Sequence, residues 1–411
     1  MPKSQYTPST RAIWLMRAYY LLWTGAGGFI FPFISLFYKQ QGLTGTEMGW
    51  LGTIGSLVSL VSAPLLGRLS DNISNPRRLL QFCLFGSGLL IALLSQQTSF
   101  LWMAAIVGLE AFIGAPVYPL SDAQALTITN EKDGYGSIRL WGSLGWAITA
   151  FTGGWMVERA GLVTVFIGYA ALYGLCVLLL QWIITPSTRP AKDDAPRPSL
   201  KTLISSLVSD RALIGLALAL AVLWLTENGR QRFETIYMRE FGASDQLIGW
   251  AFTYPALMEI PLMLWADRLV RKFSAGRLLA IGILLEALSG LVVVIFPSLT
   301  SLLFMRAASG LYYSFYAIAS VAYTVERAPA SQAATVLSLY FVTLGGVIAL
   351  LASPLSGLIF DRGGAYPLYV IAAAGALLAW LILIATQTKL IHKPIPEPTS
   401  GKNKTSCTRS G

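Results

Sequence analysis

Three ionisable residues inside an apolar stretch of the chain share one face of a predicted helix. Glu227, Arg230 and Glu234 are spaced i, i+3 and i+7, and residues with this spacing stack along one side of an α-helix. A charge at bilayer depth costs about 2.5 to 3.5 kcal/mol on insertion scales, so such groups usually face a partner, water or a functional path. The pattern indicates either a proton-accepting cavity wall with Arg230 as counter-ion, or a salt-bridge ladder that only stabilises the helix.

An acidic and a basic residue lie at nearly equal distances on either side of a predicted turn near Glu131. Asp122 precedes the turn and Arg139 follows it, so on two antiparallel helices rising about 1.5 Å per residue they stand at the same depth. We expect the two side chains to pair when the site is empty and to separate when a polar solute binds; the alternative is a permanent structural bridge. Glu110 lies on the same apolar stretch as Asp122 and is a further candidate for solute binding.

Other buried charges indicate proton coupling and gating. Glu259 lies between two prolines, which favour a bent, cavity-lining helix, and a lone carboxyl group in a low-dielectric site can take up and release a proton. We expect Glu259 to couple protons together with Glu227 and Glu234, or else to be a structural Glu paired with an Arg. Arg306 and Glu234 lie at similar depth and are expected to be partners in an outer gate, whereas Glu286 is expected to be peripheral.

The elements that carry these residues are apolar runs of about 20 residues, the length that crosses a hydrocarbon core of about 30 Å. Six lie near 13–38, 46–66, 79–97, 99–127, 136–157 and 162–185, and six follow near 212–238, 246–266, 276–296, 299–326, 333–359 and 366–388. We number them spans 1 to 12. They predict an all-α membrane protein with twelve transmembrane helices.

The last six spans repeat motifs of the first six. GLTGTEMGW (Gly42 to Trp50) recurs as GASDQLIGW (Gly242 to Trp250), and GGWMVERAG (Gly153 to Gly161) recurs as SGLIFDRGG (Ser356 to Gly364). Duplication in a polytopic protein is typical of secondary transporters, whose site lies between the halves near the bilayer midplane. We expect a half at 1–185, a cytoplasmic linker at 186–211, a half at 212–388 and a cytoplasmic tail at 389–411.

Composition and charge indicate an integral membrane protein. Of 411 residues, 55% are hydrophobic and only 12% are charged, which is more apolar surface than a soluble core of this size can hide. The net charge of +10 comes from Lys and Arg concentrated in connectors and tails on one side, which is the positive-inside asymmetry and not a nucleic-acid surface. We expect a multi-pass monomer in the plasma membrane, the inner membrane of a bacterium, with both termini in the cytoplasm.

Two loops carry a recognisable motif. GRLSDNISNPRRLL (Gly67 to Leu80) joins spans 2 and 3, and the degenerate LWADRLVRKFSAGRLL (Leu264 to Leu279) joins spans 8 and 9. They resemble the loop signature of the major facilitator superfamily, and the six-plus-six layout extends the resemblance over nearly the whole chain. It implies the major facilitator fold and an inner-gate latch formed by Asp71, Arg77 and Arg78; the alternative is that the basic residues serve topology alone.

Spans 4, 5 and 8 carry a sharper resemblance. PLSDAQA (Pro119 to Ala125), YGSIRLWGSLGW (Tyr135 to Trp146) and MEIPLM (Met258 to Met263) resemble the branch that contains the lactose permease, nucleoside-proton symporters and phenylpropionate permeases. The resemblance implies that Arg139 binds the solute and that Trp146 lies beside it. The guanidinium groups of Arg139 and Arg230 fit carboxylates and diols alike, so both are candidates for binding an anionic or hydroxyl-rich solute.

The leading hypothesis is a transporter that couples the uptake of a small organic solute, an organic acid, nucleoside or sugar, to protons. An efflux antiporter of the same fold is the alternative, although span 5 lacks the Pro of the antiporter motif; a non-transporting membrane sensor is less favoured. The spans contain no His, and the chain has no paired Cys and no phosphate-binding loop. We therefore expect neither an enzyme nor a metal or other cofactor.

Overall fold

The computed structural model of the protein describes residues 10–72, 75–128, 134–183, 210–328 and 333–387. In this part of the chain the secondary structure is helical, and the helices coincide with the twelve predicted spans. Spans 1 to 6 comprise Thr10–Ile30 with Ile34–Gln40, Gly45–Asn72, Pro76–Leu94, Phe100–Gly114 with Val117–Ile128, Tyr135–Ala160, and Val163–Leu179. Spans 7 to 12 comprise Arg211–Glu240, Asp245–Leu264 with Ala266–Phe273, Ala275–Ile295, Leu299–Arg327, Ala333–Leu337 with the π-helical Ser338–Leu344 and Gly345–Gly363, and Tyr366–Thr386.

Eight segments of the described chain are long and apolar enough to cross a membrane by length and composition. Span 6 is a shorter apolar helix of 17 residues, and spans 2, 5 and 10 have 28, 26 and 29 residues. At about 1.5 Å per residue these three helices exceed a hydrocarbon core of about 30 Å. They are less apolar because they carry many Gly, Ser, Thr and charged residues, which serve the helix contacts and the cavity.

Spans 1 and 7 end in the same turn, at the two copies of the duplicated motif. Gly42 and Gly242 both have a φ of +83°, a left-handed conformation that glycine adopts without steric cost. The N–H groups of Gly42 and Leu43 bond to the carbonyls of Lys39 and Tyr38, and those of Gly242 and Ala243 bond to Arg239 and Met238. Each set is the Schellman pattern of a helix C-terminus, so the repeated sequence forms the same structure twice.

The first six and the last six spans contact each other most extensively where span 2 packs on span 11 and span 5 on span 8. At one end of the bundle these helices approach at backbone distance. A Cβ atom added to Gly154 would lie 3.0 Å from the Cα of Gly249, and one added to Gly45 would lie 2.8 Å from the carbonyl oxygen of Gly357. Glycine permits such close helix packing because it has no side chain. We call the end defined by these four glycines the closed end.

Candidate functional site

A cavity of about 980 Å³ lies between the first six and the last six spans. It extends from Phe31 and Phe252, on the side of the closed end, towards Met263 and Val321 near the opposite end of the bundle. Aromatic side chains form much of its lining: Tyr20, Trp23, Phe31, Tyr118, Tyr135, Trp146, Trp224, Phe252, Tyr312, Tyr313, Tyr316 and Phe341. A large concave, mostly apolar surface with a few polar groups is typical of a small-molecule site.

Arg139 is the exposed cation on the wall formed by the first six spans. Its guanidinium group donates to the Tyr135 hydroxyl at 3.4 Å. The Asp122 carboxylate, behind the lining, accepts hydrogen bonds from the hydroxyls of Tyr20 at 2.6 Å and Tyr135 at 2.7 Å. Tyr135 therefore stands between Arg139 and Asp122, and the structure records no ion pair between the two in the described chain.

The expectation of a direct pair between Asp122 and Arg139 is wrong for a physical reason. Tyr135 lies one helical turn before Arg139, so the two side chains share a face of span 5, and the Tyr135 hydroxyl occupies the position next to Asp122. The hydrogen bonds that Tyr135 and Tyr20 donate to Asp122 were not predicted from the sequence. The i, i+4 spacing of Tyr135 and Arg139 indicates that the two side chains share a helix face, and it could have been used to predict that Tyr135 lies beside Arg139.

Trp146 lines the cavity, at the place that the resemblance implied. Its ring centre lies 5.7 Å from that of Phe31, which lies 6.1 Å from that of Phe252. The Arg306 guanidinium group stacks 3.8 Å from the centre of the Phe252 ring, a favourable cation–π geometry. These side chains connect the two walls of the cavity on the side of the closed end.

A cluster of charged side chains forms the wall contributed by the last six spans. Arg230 donates to Glu227 through Nε at 2.6 Å and lies 3.6 Å from Glu234. Arg306 lies 3.5 Å from Glu234, as its depth in the sequence predicted. These carboxylates bind guanidinium groups, and in the described residues no group of three or more His, Cys, Asp or Glu is arranged to hold a metal ion.

Glu286 belongs to this charge cluster, and the expectation that it is peripheral is wrong. Its carboxyl group lies 3.9 Å from the Arg230 guanidinium group, and its side chain lines the cavity. Span 9 packs against span 10, and Glu286 lies near the middle of span 9, on the face that meets the cavity. The sequence gives the face of a helix but not the neighbour that this face meets.

Glu259 lines the same cavity from span 8, as predicted. Two prolines lie inside its helix, at 255 and 261. The structure records no ion pair for Glu259 in the described chain, and its side chain is half-buried. Glu259 is therefore a cavity-lining carboxyl group without an ion pair in the described chain.

Glu110 was predicted to bind the solute, but it is not among the residues that line the cavity. Its carboxyl group accepts a hydrogen bond from the Ser87 hydroxyl of span 3 at 2.5 Å, and the Tyr169 hydroxyl of span 6 lies 3.4 Å from Ser87. Glu110 therefore faces the interior between spans 3, 4 and 6. Sharing an apolar stretch with Asp122 did not place it on the same face of span 4, because the helix is interrupted between Gly114 and Val117.

The predicted inner-gate residues lie at the end of the bundle opposite the closed end. Asp71 belongs to the last turn of span 2, and its side chain lies outside the part of the chain that the structure describes. Arg77 donates to the carbonyl oxygens of Gln181 at 3.4 Å and Ile183 at 3.3 Å, so it fixes the beginning of span 3 to the end of span 6. Arg78 is exposed.

Carboxylates seal the closed end by capping helices across the two sets of spans. Asp361 of span 11 accepts hydrogen bonds from the backbone N–H groups of Gly45 at 2.5 Å and Thr46 at 2.8 Å. Glu158 of span 5 accepts one from the backbone N–H of Gln246 at 2.8 Å. The N-terminus of a helix attracts negative charge. Both carboxylates come from the duplicated motif, so the duplication produces two equivalent closures.

Comparison with known proteins places the chain among membrane transporters. The model of the MFS_1 like family matches residues 13–371. The chain is 26% identical over 370 residues to the maltose permease of Geobacillus stearothermophilus, covering 89% of this chain and 93% of that protein. It is 29% identical over 291 residues to the probable 3-phenylpropionic acid transporter of Escherichia coli, covering 67% and 71%.

Two further similarities extend this result. Multidrug resistance protein MdtG of Dickeya zeae is 25% identical over 293 residues, covering 66% of this chain and 70% of that protein. The crystal structure of a mutant of the nucleoside transporter NupG superposes with a TM-score of 0.78 at 14% identity, over 92% of this chain and all of that one. This similarity confirms the fold that the sequence motifs predicted. The chain therefore belongs to the MFS_1 like family and is a membrane transporter with the major facilitator fold.

Proposed function

We propose that the protein takes up a small organic solute, an organic acid, a nucleoside or a sugar, by proton-coupled alternating access. One observation carries the proposal: Arg139, without an ion pair in the described chain, projects into a large aromatic cavity between the two sets of six spans. An unpaired guanidinium group in such a place attracts a carboxylate or a diol. The aromatic rings beside it suit the flat or apolar faces of the same solute.

The two sets of spans act as halves, 1–185 and 212–388, that rock about the site, with the linker at 186–211 and the tail at 389–411 in the cytoplasm. The positive-inside distribution of Lys and Arg supports this orientation. With both termini inside, spans 1 and 7 end outside, so the closed end faces the exterior. The conformation described here is then open to the cytoplasm and sealed by Asp361, Glu158 and the glycine contacts.

The names of the relatives support the class of solute. A maltose permease, a 3-phenylpropionic acid transporter and a nucleoside transporter carry solutes with hydroxyl groups, a carboxylate or an aromatic ring. Arg139, Trp146 and Tyr20 provide groups that recognise each of these features. Proton coupling is assigned to Glu259, which lines the same cavity as Arg139 and has no ion pair in the described chain, and to the charge cluster of span 7.

Export is the second candidate, because the chain also resembles the multidrug resistance protein MdtG. The two functions differ in the direction of the proton gradient that drives accumulation.

Purified protein in liposomes should be tested with maltose, uridine and 3-phenylpropionate, with the exterior acidic, with the interior acidic and without a gradient. If the protein couples uptake to protons, one of these solutes should accumulate only when the exterior is acidic. Accumulation driven only by an acidic interior would establish export instead, and no gradient-dependent movement of any of the three would remove the proposed class of solutes.

A further inference from the structure

The charge cluster on the wall of the last six spans does not balance. Glu227, Glu234 and Glu286 supply three carboxyl groups, whereas Arg230 and Arg306 supply two guanidinium groups. If every group were ionised, the cluster would carry one net negative charge. The side chains of Glu227, Arg230 and Glu234 are exposed by 5%, 4% and 1%, respectively. An uncompensated charge in such surroundings is strongly destabilising, and one bound proton removes it.

The contacts within the cluster indicate which carboxyl group binds that proton. Glu234 lies 3.6 Å from Arg230 and 3.5 Å from Arg306, so two cations face its carboxyl group. Glu227 accepts two hydrogen bonds from Arg230. Glu286 has a single cation within 4 Å in the described chain, Arg230 at 3.9 Å. The ionised form of Glu286 is therefore the least well compensated of the three.

Glu286 also meets a second carboxyl group. Both carboxyl groups contact the same guanidinium nitrogen of Arg230, Glu286 at 3.9 Å and Glu227 by a shorter ion pair, and two carboxyl groups that share one site cannot both be ionised without strong repulsion. A proton on Glu286 removes this repulsion. The same proton brings the whole cluster to electrical neutrality.

The remaining titratable side chains near the cluster are tyrosines. Span 10 contributes Tyr312 and Tyr316 besides Arg306, and span 12 contributes Tyr369 to the surroundings of Glu234 and Arg230. The Tyr316 hydroxyl accepts a hydrogen bond from the Trp224 indole at 2.9 Å. The Glu286 side chain is 11% exposed and lines the cavity, so water in the cavity can deliver and remove the proton.

We propose that Glu286 is the proton-binding residue of this cluster and exchanges its proton with water in the cavity. This deepens the proposed function, because it rests on proton coupling and assigns the proton to a residue of span 9. When the proton leaves for water, no other bond changes and the cluster gains one negative charge. That charge is then available to favour hydration or rearrangement of the wall that faces the solute.

Infrared spectroscopy of the purified, full-length protein tests this assignment without any solute. The carbonyl-stretch band of protonated carboxyl groups is measured in neutral and in alkaline buffer for the wild type, Glu286→Gln, Glu227→Gln and the control Glu326→Gln. Glu326 is an exposed carboxyl group of span 10 outside the cluster. In Glu286→Gln and in Glu227→Gln, we expect the band to lose the intensity that one protonated carboxyl group contributes. Each variant leaves two carboxylates opposite two guanidinium groups, so no proton is needed for neutrality. Glu326→Gln should keep that intensity.

A band of wild-type intensity in both Glu286→Gln and Glu227→Gln at neutral pH would overturn the proposal. If Glu286→Gln does not fold, Glu286→Asp provides the test, because it should keep the band but shift its position. The measurement is independent of transport. A band that disappears as expected in a protein without proton-driven accumulation would defeat the proposed coupling and leave the proton assignment intact.

Discussion

The carboxylate of Asp361 binds Thr46 twice, accepting a hydrogen bond from the backbone N–H at 2.8 Å and one from the hydroxyl at 2.6 Å. Asp361 ends span 11 and Thr46 begins span 2, so this contact joins the two sets of spans at the closed end. The charge lies at a helix N-terminus, where an anion is favoured by about 0.3 to 1 kcal/mol. The contact between Asp361 and Thr46 must therefore break when the closed end opens.

We expect Asp361→Asn to shift the protein towards a conformation that is open at the closed end. The loss of about 1 kcal/mol of capping energy corresponds to about a fivefold change in the equilibrium. In a background with Cys83, Cys176 and Cys407 replaced by Ala, a cavity-lining reporter, Ser143→Cys, is labelled on intact cells with a membrane-impermeant maleimide. Labelling should rise by up to about fivefold. Glu47→Gln is the matched control, since Glu47 lies in the first turn of the same helix but binds Thr44, the residue before that helix, and not the other set of spans; equal labelling in the two variants would contradict the assignment.

The contact between Gly154 and Gly249 makes an independent prediction. A Cβ atom at Gly154 would lie 2.6 Å from the backbone oxygen of Asp245, so a side chain there must separate spans 5 and 8. Gly154→Leu should increase labelling of the same reporter from outside and reduce net transport. Gly174→Ala is a suitable control, because a Cβ atom at Gly174 meets nothing within 4 Å. Full transport by Gly154→Leu would show that this contact need not be tight.

Tyr135 should be as important for binding as the charged residues that it connects. Tyr135→Phe removes one of the two tyrosine hydrogen bonds to Asp122 and the one accepted from Arg139. Hydrogen bonds to charged groups contribute about 1.5 to 3 kcal/mol, so solute affinity should fall at least about tenfold. Tyr254→Phe, which alters an exposed tyrosine of span 8 outside the cavity lining, should bind normally. Unchanged affinity in Tyr135→Phe would mean that Arg139 is oriented by other contacts.

Glu259→Gln should separate proton movement from solute movement. The amide resembles the protonated acid in shape, so the variant should fold and should exchange solute across liposomes that contain the same solute. It should not accumulate solute against a gradient when the exterior is acidic. Full accumulation by Glu259→Gln would remove Glu259 from the coupling mechanism and leave Glu286 and Glu227 to carry it.

The sequence predicted the spans better than the contacts within the site. Hydrophobic runs and repeated motifs are local patterns, so the twelve helices and the matching turns at Gly42 and Gly242 follow from them directly. The pairing of side chains depends on which helices are neighbours. Depth along a helix placed Arg306 beside Glu234 correctly. It placed Asp122 at the depth of Arg139 without showing that Tyr135 lies between them. It also did not show that Glu110 faces away from the cavity and that Glu286 faces into it.

The central claim is that Arg139 is the solute-binding residue of a transport cavity, and binding to purified Arg139→Lys protein tests it most directly. The solute is the one of maltose, uridine and 3-phenylpropionate that the wild type accumulates, and binding is measured by calorimetry together with thermal unfolding of the solute-free protein. A lysine ammonium keeps the charge but lacks the planar guanidinium fork. We expect unfolding at the wild-type temperature and at least about a tenfold loss of affinity, the loss of about 1.4 kcal/mol or more that a charge-assisted hydrogen bond contributes. Wild-type affinity in the folded variant would contradict the account.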